Sequence, residues 1–504
     1  MKTNLEPVFK TFLYFFTAII IAACHQPGSK KEASLKPTSA DAAIQKLAVK
    51  SMHDDLSILW SAIKEMHPAY GMYMTPDSLQ KVYDQVAGSI DTPLSEKDFI
   101  SRIYPLISKL GCGHTQLKHS EAYKDAKVSH LPFEVLVRGN QAWITTYQIA
   151  ELHTGDEIVS INNVPVAAII DHGSDLYAGD GHNKTFKELF LSEYDGFEDA
   201  CNYYYHWTPP YHISLRTKQG ALKTMDVNAA VKGAAQLEHP KTGDNYAGWI
   251  IAKNTDYLPL RFLKSGSTAW FEVHSYQYND TTIFKEAFKQ IHEKGIKNLI
   301  IDLRHNTGGD IRVGAKLLSY LADTPFPMVG DVRSRLPNPA INHFEKYFDT
   351  AKTASFNQSF NPTHIKEGAY YHVDFRPVFG NLLGIAPLDK TAHFKGNLLV
   401  LIDGATFSSG ALSATAIKTF CKNAKFIGRE TAGGAEGCSG GTIQHLTLPN
   451  THIVVEFPLL RFVSVARHPA PGRGIMPDYP VEYSPEDIVN KTDPDLKKAL
   501  SLIR

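Results

Sequence analysis

The residues between Leu398 and Ile417 place a possible nucleophile between a strand and a helix. Leu398–Ile402 is a continuous apolar run, which is typical of a buried strand in a largely parallel sheet. Small residues from Ser408 to Ala416 predict a helix that packs closely against other backbone. A hydroxyl at the first turn of that helix lies beside unpaired N–H groups and the positive end of the helix dipole. Ser408 is therefore either a nucleophile with an oxyanion site beside it or simply the cap of the helix.

A histidine in a glycine-flanked loop is the matching candidate base. In Lys109–Leu117, Gly111 and Gly113 allow the backbone to turn tightly and present His114 on a rigid loop. The unperturbed pKa of histidine lies near neutrality, so such a side chain can act as a general base. The other interpretation is an ordinary solvated loop histidine.

A second strand followed by glycines predicts the anion site. The apolar run Asn298–Leu303 leads into Arg304–Gly309, and its terminal Gly-Gly pair leaves backbone N–H groups bare at the start of another helix. A tight turn alone also explains the glycines. Because this strand and turn repeat the arrangement at Ser408, we expect the two loops to face one another. His305 in the same loop is a rival candidate base.

The remaining chain predicts several parts that position these loops. Leu56, Leu59, Trp60 and Ile63 share one helical face and indicate a small helical bundle. Thr154–Val166 resembles the most recognisable segment of a PDZ domain, although a clear carboxylate-binding loop is missing. The predicted organisation is a signal peptide at 1–24, a flexible tether at 25–50, a helical domain at 51–125, a PDZ-like domain at 126–235, and a core at 236–504 with an insertion at about 329–390.

Composition and the first residues bear on location and partners. The apolar run Phe12–Ile21 ends in Ala-Ala-Cys24 and resembles a lipoprotein signal, in which Cys24 is lipidated and anchors the exported chain to a membrane. The 52 basic and 52 acidic residues balance, and no basic, aromatic-interleaved groove predicts nucleic acid binding. Four further cysteines permit disulfides in an exported protein without fixing their pairing. No metal motif is found, and no cofactor is expected.

Six segments in order along the chain resemble the S41 family of serine peptidases, which includes the C-terminal processing proteases and the tricorn core protease. The resemblance implies an α/β fold (α+β overall), with a ClpP/crotonase-like core, an N-terminal helical bundle and a PDZ-like module. The segments are Leu110–Leu117, Gly155–Asn162, Ile301–Gly309, Asp403–Gly410, Ile427–Gly434 and Gly474–Asp478.

The same resemblance implies roles for individual residues. Ser408 matches the family's nucleophile, and the N–H groups of Gly309 and Ser409 match its oxyanion hole. The processing proteases use a lysine base, but Gly434 occupies that position here, so the chain is more similar to the tricorn-like branch, whose base is a histidine from the N-terminal part. His114 is that candidate. Glu430 and Glu436 are the possible acids that orient it.

The leading hypothesis is an exported, lipid-anchored serine peptidase that cleaves peptides or unfolded protein segments through an acyl-enzyme. The alternative is a non-catalytic ligand-binding or scaffolding protein on the same fold, as in the interphotoreceptor retinoid-binding proteins. A peptidase should hold the serine and histidine in hydrogen-bond reach, and a carrier of hydrophobic ligands should lack such a pair.

Overall fold

The computed structural model describes residues 46–124, 129–231, 246–340, 343–349, 356, 358–376 and 382–503. The predicted signal peptide, Cys24 and most of the predicted tether lie outside these residues. The helices are α1 (Val49–Met66), α2 (Pro76–Gly88), α3 (Glu96–Leu110), α4 (Val166–Asp175), α5 (Thr185–Glu193), α6 (Gly196–Asp199), α7 (Asp280–Glu293), α8 (Ile311–Ser319), α9 (Ser409–Phe420), α10 (Pro485–Val489) and α11 (Pro494–Ser501).

The strands are numbered along the chain. They are β1 (Lys46–Leu47), β2 (Leu94–Ser95), β3 (Gln116–Lys118), β4 (Phe133–Arg138), β5 (Gln141–Tyr147), β6 (Glu157–Ile161), β7 (Val164–Pro165), β8 (Tyr211–Arg216), β9 (Leu222–Val227), β10 (Trp249–Ile251), β11 (Leu260–Leu263), β12 (Thr268–Glu272), β13 (Asn298–Asp302), β14 (Phe326–Pro327), β15 (Asp331–Ser334), β16 (Phe360–Asn361), β17 (Lys366–Glu367), β18 (Tyr370–His372), β19 (Asp374–Phe375), β20 (Ile385–Ala386), β21 (Asn397–Ile402), β22 (Lys425–Gly428), β23 (Gly437–Gly440), β24 (Gln444–Thr447), β25 (Val454–Phe457), β26 (Leu460–Val463) and β27 (Tyr479–Pro480).

A seven-stranded sheet forms the centre of the fold, in the order β10-β11-β12-β13-β21-β22-β27. From β12 to β27 the neighbouring strands are parallel, and β13 pairs with β21 so that Leu299 lies opposite Leu398. Both of these strands are almost wholly buried, because helices cover the two faces of a parallel sheet. The predicted mixture of helices and a largely parallel sheet in an α/β fold is confirmed.

Two apolar cores organise the main elements. The larger contains the buried faces of α1 and α3 and one face of the central sheet, including Leu56, Phe99, Phe271 and Val400. A smaller apolar cluster covers the other face of that sheet. The N-terminal helices therefore share the core of the sheet and do not build one of their own. A separate core fills the six-stranded sheet β4-β5-β6-β8-β9, in which β7 pairs with β6.

Shorter sheets complete the fold around the Ser408 loop. The strand order β17-β18-β15-β26-β23 joins part of the predicted insertion to the strands that follow Glu436, and β24-β25-β3 carries the residues that follow His114. Part of the predicted insertion at 329–390 lies outside the described residues. Within the described ranges, no helix is both long and apolar enough to span a membrane.

Regular structure extends into the predicted tether. The last residues of the predicted tether, Lys46 to Lys50, already belong to β1 and the start of α1, because Leu47 and Val49 pack against the main core. The cysteines for which disulfides were considered, Cys112, Cys201, Cys421 and Cys438, are buried free thiols.

Candidate active site

Ser408 lies at the sharp turn between β21 and α9. Its backbone has φ 50° and ψ −126°, a left-handed region that a residue other than glycine rarely adopts. Its side chain makes no capping hydrogen bond to the helix it precedes. The surrounding structure therefore holds a strained serine with its hydroxyl turned away from the cap position, as expected where strain serves function.

Close backbone contacts explain the small residues around this turn. A Cβ on Gly410 would lie 2.4 Å from the carbonyl oxygen of Asn306, and one on Gly433 would lie 2.5 Å from Ala411. Asn306 in turn accepts the N–H of Phe407 through its backbone oxygen. Only residues without side chains allow the two loops and the first turn of α9 to approach this closely.

The Gly308-Gly309 loop faces Ser408, as the repeated strand and turn led us to expect. A Cβ on Gly308 would lie 2.8 Å from Cβ of Ser408 and 2.9 Å from the backbone N of Ser409. The Ser409 hydroxyl donates to the carbonyl of Gly309 at 2.6 Å, which clamps the loop to α9. Beside it, Tyr276 bonds to the Gly308 carbonyl and the Asp310 N–H, so the intervening Gly309 N–H is not used in this bridge.

His114 reaches Ser408 from the N-terminal part of the chain. Its Nε2 lies 2.9 Å from the Ser408 hydroxyl oxygen, and its ring stacks on Phe407 at 4.4 Å between centroids. Burial lowers the pKa of His114 to about 4, so the imidazole is neutral at pH 7. A neutral imidazole in contact with a serine hydroxyl is able to accept its proton.

Glycine and a second histidine fix the loop that carries His114. Gly111 ends α3 with φ 73°, a left-handed conformation that suits glycine. Thr115 is fully buried, and its hydroxyl lies 2.7 Å from Nε2 of the buried His67. The loop therefore places His114 by a buried polar contact on its far side and by the stack on Phe407.

Asp180 approaches the same loop, and the sequence reasoning missed it. It is 3% exposed, and its Oδ1 accepts the N–H of Gly113 at 2.9 Å. Burial raises the pKa of Asp180 to about 6. The segment that contains it is aromatic and irregular, and no local motif marks its acid; only the fold brings residue 180 beside residue 113.

Cys112, His114 and Asp180 are the group among the described residues whose side chains are close enough to hold a metal ion. One ligand atom of each lies within 4.8 Å of those of the other two. Burial raises the pKa of the Cys112 thiol to about 12, so the thiol stays protonated, and His114 already contacts Ser408. The set as it stands does not favour a cation.

The other candidate acids and the rival base contact different partners. Glu430 accepts two bonds from Arg473 and one from the Gly474 N–H, at 2.7–2.9 Å. Glu436 accepts the Gly472 N–H at 3.2 Å. Neither contact involves His114, so the structure does not bring the expected acids to the candidate base.

His305 is held away from Ser408 as part of an ion pair. Its Nδ1 lies 2.7 Å from Asp403 and its Nε2 lies 3.2 Å from Glu193. The Asp403 carboxylate raises the pKa of His305 well above its usual value. A histidine that is protonated at neutral pH cannot accept a proton from a serine, so this geometry favours His114 as the base.

Comparison with known proteins identifies the family of the core. Residues 267–481 match the model of Peptidase family S41. Mature CPAF is 16% identical, over 88% of this chain and 94% of that chain, with a TM-score of 0.54. The photosystem II D1 C-terminal processing protease is 14% identical over 90% of this chain and 97% of that chain, with a TM-score of 0.38.

The tricorn protease is also 14% identical, over 89% of this chain and 36% of that chain, with a TM-score of 0.36. No curated protein matches the chain. At these identities the similarity to mature CPAF shows a common fold and nothing finer. The S41 family resemblance predicted from the sequence is confirmed.

Proposed function

Because this chain belongs to peptidase family S41 through residues 267–481, we propose that it cleaves peptides or unfolded protein segments with Ser408 as nucleophile and His114 as base. The observation that supports this proposal best is the 2.9 Å contact between Nε2 of His114 and the hydroxyl of Ser408. A carrier protein on this fold does not need that contact, nor a serine held at a positive φ.

The reaction follows from the positions of these groups. The Ser408 oxygen attacks the carbonyl carbon of the scissile bond while Nε2 takes its proton, and the N–H groups of Gly309 and Ser409 stabilise the oxyanion. His114 then returns the proton to the leaving amine as the acyl-enzyme forms. A water deprotonated by His114 hydrolyses that ester and regenerates the serine.

Labelling with a fluorophosphonate probe tests the proposal directly. We expect the native chain to react and the Ser408→Ala and His114→Ala variants not to react. Ser413→Ala is the matched control, because Ser413 is a buried serine on the same helix that the proposed mechanism does not use. A folded native chain that stays unlabelled, or a Ser408→Ala variant that still labels, would contradict the assignment.

The location of the enzyme is a second part of the proposal. The Ala-Ala-Cys24 pattern after a short apolar run supports export and lipid attachment at Cys24. Growth with an alkyne fatty acid should label the native chain and leave Cys24→Ser unlabelled, with the variant recovered in the soluble fraction. Equal labelling of both forms would exclude Cys24 as the site.

We also propose a role in substrate positioning for the six-stranded module formed by β4 to β9. Its sequence resembles a PDZ segment, and PDZ domains bind extended peptide ends by adding a strand to a sheet edge. Peptides with free and with amidated carboxyl ends test whether the module binds the end of the substrate or only packs against the core. A higher KM for the amidated peptide supports capture of the chain end, and equal values argue for simple packing.

A further inference from the structure

The contact between His114 and Ser408 defines which ring nitrogen must carry the proton. For Nε2 to accept the serine proton it has to be the bare nitrogen, so Nδ1 carries the hydrogen in the neutral ring. Nδ1 is buried and has no hydrogen-bond partner within the described ranges. A buried donor without an acceptor costs about 1–3 kcal/mol, and it leaves the tautomer undetermined.

The carboxylate of Asp180 lies in the immediate surroundings of this ring. Its Oδ1 holds the N–H of Gly113, the residue next to His114, while its Oδ2 is buried and has no partner at ordinary hydrogen-bond geometry among the described residues. A carboxylate oxygen of Asp180 and a ring nitrogen of His114 lie within 4.8 Å of one another. Two neighbouring side chains thus each hold a buried polar atom without a partner, a possible donor on His114 and an acceptor on Asp180.

We propose that Asp180 is the positioning residue of this site, which fixes the ring of His114 with Nδ1 protonated and Nε2 free to take the proton of Ser408. The inference rests on the proposed function, in which His114 is the base. One water bonded to both groups spans about 4.5 Å, which matches this separation.

The assignment accounts for features that otherwise have no explanation. Glu430 and Glu436 are engaged by Arg473 and by backbone N–H groups, so the acid comes from a different part of the chain. Asp180 is anchored by the Gly113 N–H, and Gly181 donates its own N–H to Gly111 at 3.0 Å. Two hydrogen bonds therefore join the segment that carries the acid to the loop that carries the base, which limits changes in their mutual geometry.

The charges around Asp180 set the pH range of the effect. Burial raises its pKa to about 6, opposed by the Gly113 N–H and by Arg461. The carboxylate is consequently an acceptor above about pH 6 and is lost as an acceptor below it. The titratable or charged groups that face Asp180 or His114 from the neighbouring elements are Tyr73, Cys112, Glu436, Cys438 and Arg461.

The test compares Asp180→Asn with Asp180→Glu in the full chain. An asparagine oxygen can keep the Gly113 bond, while its amide N–H₂ faces Nδ1 and favours the tautomer in which Nε2 is protonated. We expect kcat to fall about 100-fold or more with little change in KM, and the rate of fluorophosphonate labelling to fall in parallel. Asp180→Glu retains the acceptor and should restore part of the rate.

The pH profile separates positioning from a structural role. The native labelling rate should decline below about pH 6, and this acidic limb should move to lower pH in Asp180→Asn, where no carboxylate titrates. Asp156→Asn is the matched control, because Asp156 is another buried aspartate that caps a backbone N–H, within the six-stranded module. If Asp180→Asn behaves like this control, Asp180 only supports the fold and the inference fails.

A spectroscopic readout keeps the inference independent of catalysis. Nitrogen-15 spectra of the histidine rings, recorded in the Ser408→Ala background, should show His114 protonated on Nδ1 when Asp180 is present. The same spectra of the variant that also carries Asp180→Asn should show the proton on Nε2. If the tautomer of His114 is the same in both forms, the inference is overturned, even if the native chain is an active enzyme. The opposite combination is also informative. If the native chain is not labelled but the two Ser408→Ala forms differ in tautomer, the proposed function is refuted and Asp180 is still the partner of His114.

Discussion

At the scale of single residues, burial of neutral histidines is the feature with the most direct consequence. His67 is fully buried, accepts the N–H of Ala69 on Nδ1 and contacts the Thr115 hydroxyl through Nε2. Both ring nitrogens are therefore satisfied in the neutral form, and burial lowers the pKa of His67 to about 3. Protonation of His67, the histidine that supports the His114 loop, is therefore unfavourable in the folded chain.

This depressed pKa predicts how stability depends on pH. Between pH 6.5 and about pH 3 the unfolded chain binds a proton at His67 that the folded chain does not, so the free energy of unfolding falls as the pH falls. From pH 7 to pH 5 this contribution is about 2 kcal/mol. The free energy of unfolding, measured with urea at pH 7 and at pH 5, should therefore change by about 2 kcal/mol less in His67→Asn than in the native chain.

A surface histidine provides the control for that measurement. His343 has a side chain that is 87% exposed, so its replacement by glutamine removes a histidine without removing a buried hydrogen bond. Equal pH dependence of the native chain and His67→Asn would mean that His67 is protonated in the folded state. The neutral imidazole with hydrogen bonds at both ring nitrogens, to Thr115 and to Ala69, would then be wrong.

The same scale separates what the sequence could predict from what it could not. Ser408 and His114 lie in local patterns of glycines and small residues that constrain the backbone. Such patterns can be recognised from the sequence alone. Asp180 stands in no pattern, because its contact with Gly113 joins residues 67 positions apart. Its position depends on packing of the whole loop, which a single sequence does not encode locally.

At the scale of elements, helix α9 depends on a glycine contact for its approach to the neighbouring loop. A Cβ at Gly410 would lie 2.4 Å from the backbone oxygen of Asn306, and backbone cannot move aside as a flexible side chain can. We expect Gly410→Ala to lower the free energy of unfolding by about 1–3 kcal/mol, measured by urea unfolding. The displaced helix should also slow fluorophosphonate labelling of Ser408.

Another helical glycine shows what the same substitution does without a contact. Nothing lies within 4 Å of a Cβ added at Gly88, in the last turn of α2. Gly88→Ala should therefore be neutral or stabilising by about 0.4–1 kcal/mol, because alanine reduces the entropy of the unfolded chain. A loss at Gly88 as large as that at Gly410 would mean that the Asn306 contact does not explain the glycine at 410.

The elements themselves were predictable in proportion to their length and apolar pattern. The runs at Asn298–Leu303 and Leu398–Ile402 predicted two buried strands, and these strands pair in parallel at the centre of the sheet. The five-stranded sheet was not predictable, because β15 joins β26 across more than a hundred residues with strands of four residues each. Pairings that short carry little local signal.

At the scale of the whole molecule, the six-stranded module has its own apolar core but is joined to the central sheet by buried polar contacts. Asn183 donates to the carbonyl of Thr431 at 2.9 Å, and Thr185 donates to that of Glu430 at 2.9 Å. The segment between β7 and β8, which also contains Asp180, is thus bound to the core. Removal of residues 126–235 as a unit would remove these contacts along with the proposed positioning acid.

An ion pair beside these contacts gives the last prediction. Arg429, after β22, binds Glu188 on α5, and their side chains are 13% and 11% exposed. Glu188 also accepts the N–H of Gly139 between β4 and β5, so one carboxylate joins α5 to both the central sheet and the six-stranded sheet. Arg429→Met leaves this carboxylate buried without its cation, and we expect a loss of about 3 kcal/mol in the free energy of unfolding.

A double-mutant cycle isolates the pair from other effects of the substitutions. Glu188→Gln keeps an acceptor for Gly139, and combining it with Arg429→Met removes the unpaired charge, so the double variant should be more stable than the sum of the two single losses predicts. Glu482→Gln is the control, because that second partner of Arg429 is 64% exposed and its loss should cost less than about 1 kcal/mol. Strictly additive losses would show that the Arg429–Glu188 pair does not couple the two parts. A change at this pair should then leave the labelling rate of Ser408 unaffected.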